Sequence, residues 1–179
     1  MNLSLICDNP IFHGIPENEM EELLNRLGAA KKVCEKDCCI FHRGDVTEQM
    51  GIVLSGGINI IRTDIRGRQS ILDHISPGQV FAETYACLGD EPLMVDAVAA
   101  EKSEILLLKP GKAAFSRTTE GDALETLFRN LLYIMARKNL NLTQKINHIT
   151  PKTIRERIES FLLCEAVKRR SCEFDIPFN

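Results

Sequence analysis

Gly51-Ile52-Val53-Leu54-Ser55-Gly56-Gly57-Ile58-Asn59-Ile60-Ile61-Arg62-Thr63 decides the fold class. Two short runs rich in Val and Ile flank a Gly-Gly pair. Gly supplies the positive φ of a tight turn, so the stretch reads as strand, turn, strand. The pattern extends in both directions. Gly44, Gly56, Gly67, Gly78 and Gly89 recur every 11 or 12 residues. Cys39-Ile40-Phe41, Ser70-Ile71-Leu72, Ala97-Val98-Ala99 and Glu104-Ile105-Leu106-Leu107-Leu108 supply further strands, and Arg62–Gln69 is a polar hairpin tip. Short strands with regular turns predict an antiparallel sandwich or barrel over residues 30–110.

Helical spacing brackets this region. Met20, Leu23, Leu24 and Leu27 put one apolar face on a helix from Glu17 to Leu27, which Gly28 stops. On the other side, after a short piece near Lys112–Ser116, a long helix is predicted from Gly121 to Ile149. Phe128, Met135, Leu142 and Ile149 form a strict heptad, with Leu124 and Leu131 as companion seam. A helix with two apolar faces must bury both, one on the β domain and one on a partner helix. The expected partner is a second copy of the chain, met through Leu124, Phe128, Leu131, Met135, Leu142 and Ile149. Thr150-Pro151 then acts as hinge. Thr150 is the expected N-cap and Pro151 the first residue of a helix reaching Arg170, with Ile154, Ile158, Phe161 and Leu162 inward. Phe174-Asp175-Ile176-Pro177-Phe178 reads as a strand.

Composition sets the bounds. The chain has 179 residues, enough for one domain and a remainder, and 44% are hydrophobic, which excludes wholesale disorder. The longest apolar run, Leu131–Ala136, is far below the ~20 residues of a membrane span. No signal peptide is expected at the N-terminus, and a cytoplasmic location with no membrane partner follows. Residues 1–150 carry 16 basic against 20 acidic side chains, and residues 151–179 carry 6 against 5, so the sign of the charge changes near Pro151. The seven cysteines are an odd number, which argues against a disulfide scaffold.

Several local patterns agree with a known family. Phe41-His42-Arg43-Gly44-Asp45, Leu54-Ser55-Gly56-Gly57, Met135-Ala136-Arg137, Arg157-Ile158 with Phe161-Leu162-Leu163, and Ile176-Pro177-Phe178 occur in the family's order. Ser76-Pro77-Gly78-Gln79-Val80-Phe81-Ala82-Glu83 is similar to its Pro-Gly-Asp-x-Phe-Gly-Glu, departing at Gln79 and Ala82. The chain resembles the bacterial CRP/FNR (catabolite activator protein and fumarate–nitrate regulator) transcription regulators. The resemblance implies a cyclic-nucleotide-binding-like double-stranded β-helix, the jelly-roll β-roll, at 1–118. It implies a dimerisation helix at 119–150 and the beginning of a winged helix-turn-helix domain at 151–179. The family's recognition helix would lie beyond Asn179, so DNA and RNA polymerase would be reached only through that C-terminal domain. No enzymatic activity is expected.

The effector site departs from the cyclic-nucleotide pattern. The family meets the cyclic phosphate and the ribose hydroxyl with Gly-Glu and, some ten residues on, Arg-Ser. Here the matching positions are Ala82-Glu83 and Met94-Val95, with no guanidinium for a charge-assisted pair. The expected effector is a small molecule other than cyclic AMP, lined by Phe81, Ala82, Glu83, Thr84, Met94 and Val95. Leu142 and Thr143 align with the helix that closes the pocket in relatives. Glu83 could pair with a ligand amine or hydroxyl, or with nearby backbone N–H groups.

Cys34, Cys38 and Cys39 raise the alternatives of an iron–sulfur cluster or a thiol switch. Adjacent cysteines on a strand point to opposite faces, so Cys38 and Cys39 do not easily share a metal. His74 and Cys87 are imaginable haem ligands. The four histidines form no H-x-H or H-E-x-x-H pattern, which weighs against a cupin-type metalloenzyme. No P-loop, dinucleotide fingerprint or G-x-S-x-G elbow occurs. No metal or cofactor is expected. A stand-alone ligand-binding or oligomerisation module remains the other reading.

Overall fold

The turn glycines do what their spacing predicts. Gly44, Gly56, Gly67, Gly78 and Gly89 all adopt φ between +78° and +91°. In this computed structural model, which describes residues 9–111, 122–149, 153–171 and 173–175, they lie in five of the connections among eight short strands. These are β1 (Ala30–Cys34), β2 (Cys39–Phe41), β3 (Met50–Ser55), β4 (Ile58–Thr63), β5 (Gln69–Ile75), β6 (Val80–Phe81), β7 (Asp96–Ala99) and β8 (Ser103–Leu108). They pair antiparallel in two sheets of four, ordered β1-β8-β3-β6 and β2-β7-β4-β5. Consecutive strands change sheet repeatedly, the crossover pattern of a jelly roll. Phe41, Val53, Ile58, Phe81 and Ile105 belong to one buried apolar cluster.

The β3–β4 turn shows how tightly the sandwich is specified. Ser103 is fully buried, and its hydroxyl accepts from the Gly57 N–H at 3.0 Å. A Cβ on Gly56 would overlap the Ser103 Oγ and stand 2.6 Å from the Lys102 carbonyl oxygen. Positive φ and a backbone neighbour both demand glycine there.

Helix α1 (Glu17–Arg26) buries Met20, Leu23 and Leu24, the predicted face. Helix α2 (Glu83–Leu88) is an addition that the strand pattern does not predict. Helix α3 (Ala123–Ile149) starts two residues later than expected. Its Asn130 side chain donates to the Ile11 and His13 carbonyls at 3.0 and 2.8 Å. Arg26 pairs with Asp122 at 3.0 Å. These bonds hold the first turns of α3 within a compact unit spanning Met1–Leu132.

That docking corrects the expected partner seam. Leu124 and Leu131 are 0% and 2% exposed in the single chain. Side chains with no free surface cannot meet a second copy, so both are intrachain core, beside Leu127. A second stripe is Phe128, Leu132, Met135, Asn139, Leu142 and Ile146, in alternating steps of four and three, with Phe128 and Met135 half-buried and the other four exposed. It keeps three of the predicted heptad residues and replaces their companions. The Ile149 side chain lies outside the described residues.

A second compact unit spans Tyr133–Asn179. Helix α4 (Ile154–Arg169) begins later than predicted. Its N-cap is Thr153, whose hydroxyl accepts from the Glu156 N–H while Glu156 accepts from the Thr153 N–H, a reciprocal capping box. This replaces Thr150 as N-cap and Pro151 as first helical residue. Thr150 and Pro151, the expected hinge, lie outside the described residues, as do Lys112–Ser116 and Ile176–Phe178. Glu173–Asp175 are described and form no strand. Ile154, Ile158, Phe161 and Leu162, expected inward, are exposed by 77%, 54%, 41% and 38%, because no apolar layer covers them among the described residues.

Gly56→Ala is expected to destabilise the chain by about 2–3 kcal/mol through strain at positive φ and the forced shift of Ser103. The urea midpoint measures it. An unchanged midpoint would contradict this account of the turn.

Candidate functional site

The site is built outward from a turn. The Gln79 side-chain oxygen accepts from the Ser76 N–H at 2.8 Å, and the Gly78 N–H donates to the Val53 carbonyl at 2.8 Å. Gln79, one of the two departures from the family pattern, thus closes the turn with its own side chain. Strand β6 then docks on β3 with Gly51 opposite Phe81. A Cβ at Gly51 would overlap the Phe81 ring, so glycine leaves the space which that ring fills. Phe81 packs against Phe41 with ring centroids 5.8 Å apart. At 1% exposure Phe81 is core rather than effector lining, which corrects that expectation.

The chain leaves the core abruptly. Ala82 adopts φ +60°, ψ 12°, the left-handed conformation, and α2 begins at the next residue. This is the second departure, alanine in a geometry that favours glycine. Left-handed backbone costs an L-residue about 1–2 kcal/mol. The turn delivers Glu83 to the first position of α2 with only 5% of its surface exposed.

Tyr85, one turn along, was not singled out by the sequence reading. Its hydroxyl accepts from the Met94 N–H at 3.3 Å. That bond joins α2 to the segment where the family carries its arginine, and no sequence spacing signals it. Thr84 and Met94 are exposed, while Ala82 and Val95 are half-buried. The Tyr85–Met94 bond sets α2, which starts at Glu83 and Thr84, beside the segment that carries Met94 and Val95. Leu142 and Thr143 are exposed on α3 in the second unit, and the Thr143 hydroxyl donates to the Asn139 carbonyl of its own helix at 3.0 Å.

Three thiols, Cys34, Cys39 and Cys87, are pushed above the usual cysteine range. Burial and then the Glu83 charge push Cys87 up. Burial and then Cys38 push Cys34 up. Burial pushes Cys39 up, followed by Asp96, Cys38 and Asp45, with Lys32 opposing. For these three the shift runs opposite to that of an activated nucleophile. A ligand set that the sequence does not predict appears beside them. Cys39, His42 and Asp96 bring one potential ligand atom each within 4.8 Å of the others. The Cys39-x-x-His42 spacing was legible. Asp96, 54 positions further on, needed the β2–β7 pairing.

Comparison with known proteins follows this geometry. Residues 31–115 match the cyclic nucleotide-binding domain family. The chain is 26% identical over 156 residues to the cyclic AMP receptor protein of Thermus thermophilus, covering 87% of this chain and 68% of that protein. The chain is thus similar to cyclic nucleotide-binding domains over residues 31–115 and to a cyclic AMP receptor protein over a longer stretch. A cyclic nucleotide-binding domain from Methylobacillus flagellatus superposes with a TM-score of 0.65 at 16% identity, covering 85% of this chain and 82% of that one. The sensor domain of the transcriptional regulator DNR from Pseudomonas aeruginosa gives 0.60 at 20% identity, covering 84% and 95%. At these identities the structures establish the shared fold. No described helix is long and apolar enough to cross a membrane.

Ala82→Gly is expected to raise stability by about 0.5–1 kcal/mol, the relieved strain less the entropy that glycine adds to the unfolded chain. Thermal unfolding checks it. A lowered midpoint would show that Ala82 carries no strain.

Proposed function

We propose that this chain is the effector-sensing and dimerising part of a DNA-binding transcription regulator. Its division is a β-roll at 1–118, a dimer helix at 119–150 and the beginning of a DNA-reading winged-helix domain from residue 151. The observation that supports the sensing role is the buried Glu83 carboxylate at the head of α2, the helix that Tyr85 ties to the segment where Met94 and Val95 stand in place of arginine. A cyclic phosphate needs a charge-matched donor, and neither side chain supplies one. The proposed effector is therefore a small molecule other than cyclic AMP. It carries an amine or hydroxyl toward Glu83 and rests on Thr84, Met94 and Val95.

The dimer rests on the stripe Phe128, Leu132, Met135, Leu142 and Ile146. Leu132, Leu142 and Ile146 are 69%, 58% and 56% exposed in the single chain. Steps of four and three match a coiled-coil seam, and Asn139 stands where a polar residue fixes register between two strands. The exposed apolar side chains of α4 suit packing against further elements of a DNA-reading domain. Effector binding shifts the population of two dimer arrangements, so the ligand must favour one of them.

Sedimentation velocity tests the seam. The full chain is expected to sediment as a dimer and Leu142→Glu as a monomer, with equal helicity by circular dichroism. A wild-type monomer at high concentration would sink this assignment. Thermal shift tests the pocket. A bound effector at about 100 times its dissociation constant adds about 2.7 kcal/mol of stability, whereas millimolar cyclic AMP is expected to add nothing measurable. Strong stabilisation by cyclic AMP would overturn the reading of Met94 and Val95.

A further inference from the structure

Three side chains of different chemistry converge at one end of the β2–β7 pair. Cys39 opens β2, His42 follows its last residue, and Asp96 opens β7. A register irregularity between Cys39 and Phe41 re-aims the side chains of this short strand. One ligand atom from each of the three lies within 4.8 Å of the other two. Ligand atoms on a single tetrahedral ion stand about 3.3–3.7 Å apart, so small rotamer adjustments close the set.

The frame around them is rigid. The Arg43 N–H donates to Asp96 Oδ1 at 2.8 Å and orients that carboxylate. The turn bearing His42 is tied on both sides of Leu93, through Gly44 N–H to the Leu93 carbonyl at 2.8 Å and Leu93 N–H to the Asp45 carbonyl at 2.9 Å. The His42 imidazole is exposed and makes no hydrogen bond to the described residues. The Arg43 guanidinium is directed to the Thr63 carbonyl at 3.1 Å.

From this convergence we propose that Cys39, His42 and Asp96 bind a divalent transition-metal ion of the zinc class, with solvent in the fourth position. Sulfur, imidazole nitrogen and carboxylate oxygen together select zinc or cobalt over calcium and magnesium, which take oxygen alone. Binding exchanges the Cys39 thiol proton, released to solvent, for a sulfur–metal bond. The bound ion pins the start of β7 to β2 immediately after Val95. The site stands on its own residues and does not depend on the effector proposal.

Cobalt(II) added to the full chain, with its thiols kept reduced by a phosphine, reads the site directly. One equivalent is expected to produce a thiolate-to-cobalt charge-transfer band and the intense visible bands of four-coordination. Zinc is expected to bleach them. Losing a neighbour of a metal ligand costs 10–100-fold in affinity, so His42→Ala, which removes a ligand itself, is expected to weaken binding by at least about 100-fold. Cys39→Ser is expected to abolish the charge-transfer band, while Cys38→Ser leaves it intact. The proposal is overturned if the wild-type chain gives no such band. It is equally overturned if either Cys39→Ser or His42→Ala keeps the band at wild-type strength. His42 is exposed, so its variant reads the site even where Cys39→Ser fails to fold.

Discussion

The Phe81 ring in the space left by Gly51 is the contact on which the sensing half depends. It seats β6 on the edge of one sheet and carries the ring into the shared core against Phe41. Fully burying a Phe side chain stabilises a fold by about 1.5–3 kcal/mol, a large share of a net stability of about 5–15 kcal/mol. Once Phe81 is anchored, the next residue must turn sharply, and Ala82 does so in the left-handed region. The position of Glu83 follows from that turn. Core packing and site geometry are therefore two ends of one three-residue segment.

The long helix divides its work along its length. Its first turns bury Leu124, Leu127 and Leu131 and are tied to the N-terminal segment and α1 by the Asn130 bonds to Ile11 and His13 and the Arg26–Asp122 pair. The stripe beginning at Phe128 is rotated away from that face and stays exposed further along. One helix thus carries an intrachain seam and a second, less buried apolar stripe.

Much of the fold was legible because its signals are local. Turn glycines at intervals of 11 or 12 residues marked the strand boundaries, and the same glycines adopt positive φ. The α1 face and the extent of α3 followed from helical spacing. What was misread needed neighbours. Leu124 and Leu131 fit a heptad as well as Leu132 and Ile146 do, and only docking on the β domain shows which pair is covered. Thr150-Pro151 carries an N-cap signature, yet the capping box three residues later starts α4. Phe81 matched the site motif by sequence, but its ring turns into the core. Tyr85 reaches Met94 across nine positions, which no periodicity announces.

The sequence alone determined the strands of the sandwich and the two long helices, the turn positions, the family resemblance and the missing guanidinium at Met94-Val95. These depend on residue chemistry and on spacing within one or two turns of chain. Tertiary structure decided which apolar face of α3 is buried, which site residues are core, and that Asp96 meets Cys39 and His42. Those outcomes depend on strand pairing across 54 positions and on helix docking across more than 100, distances over which a sequence pattern carries no geometry.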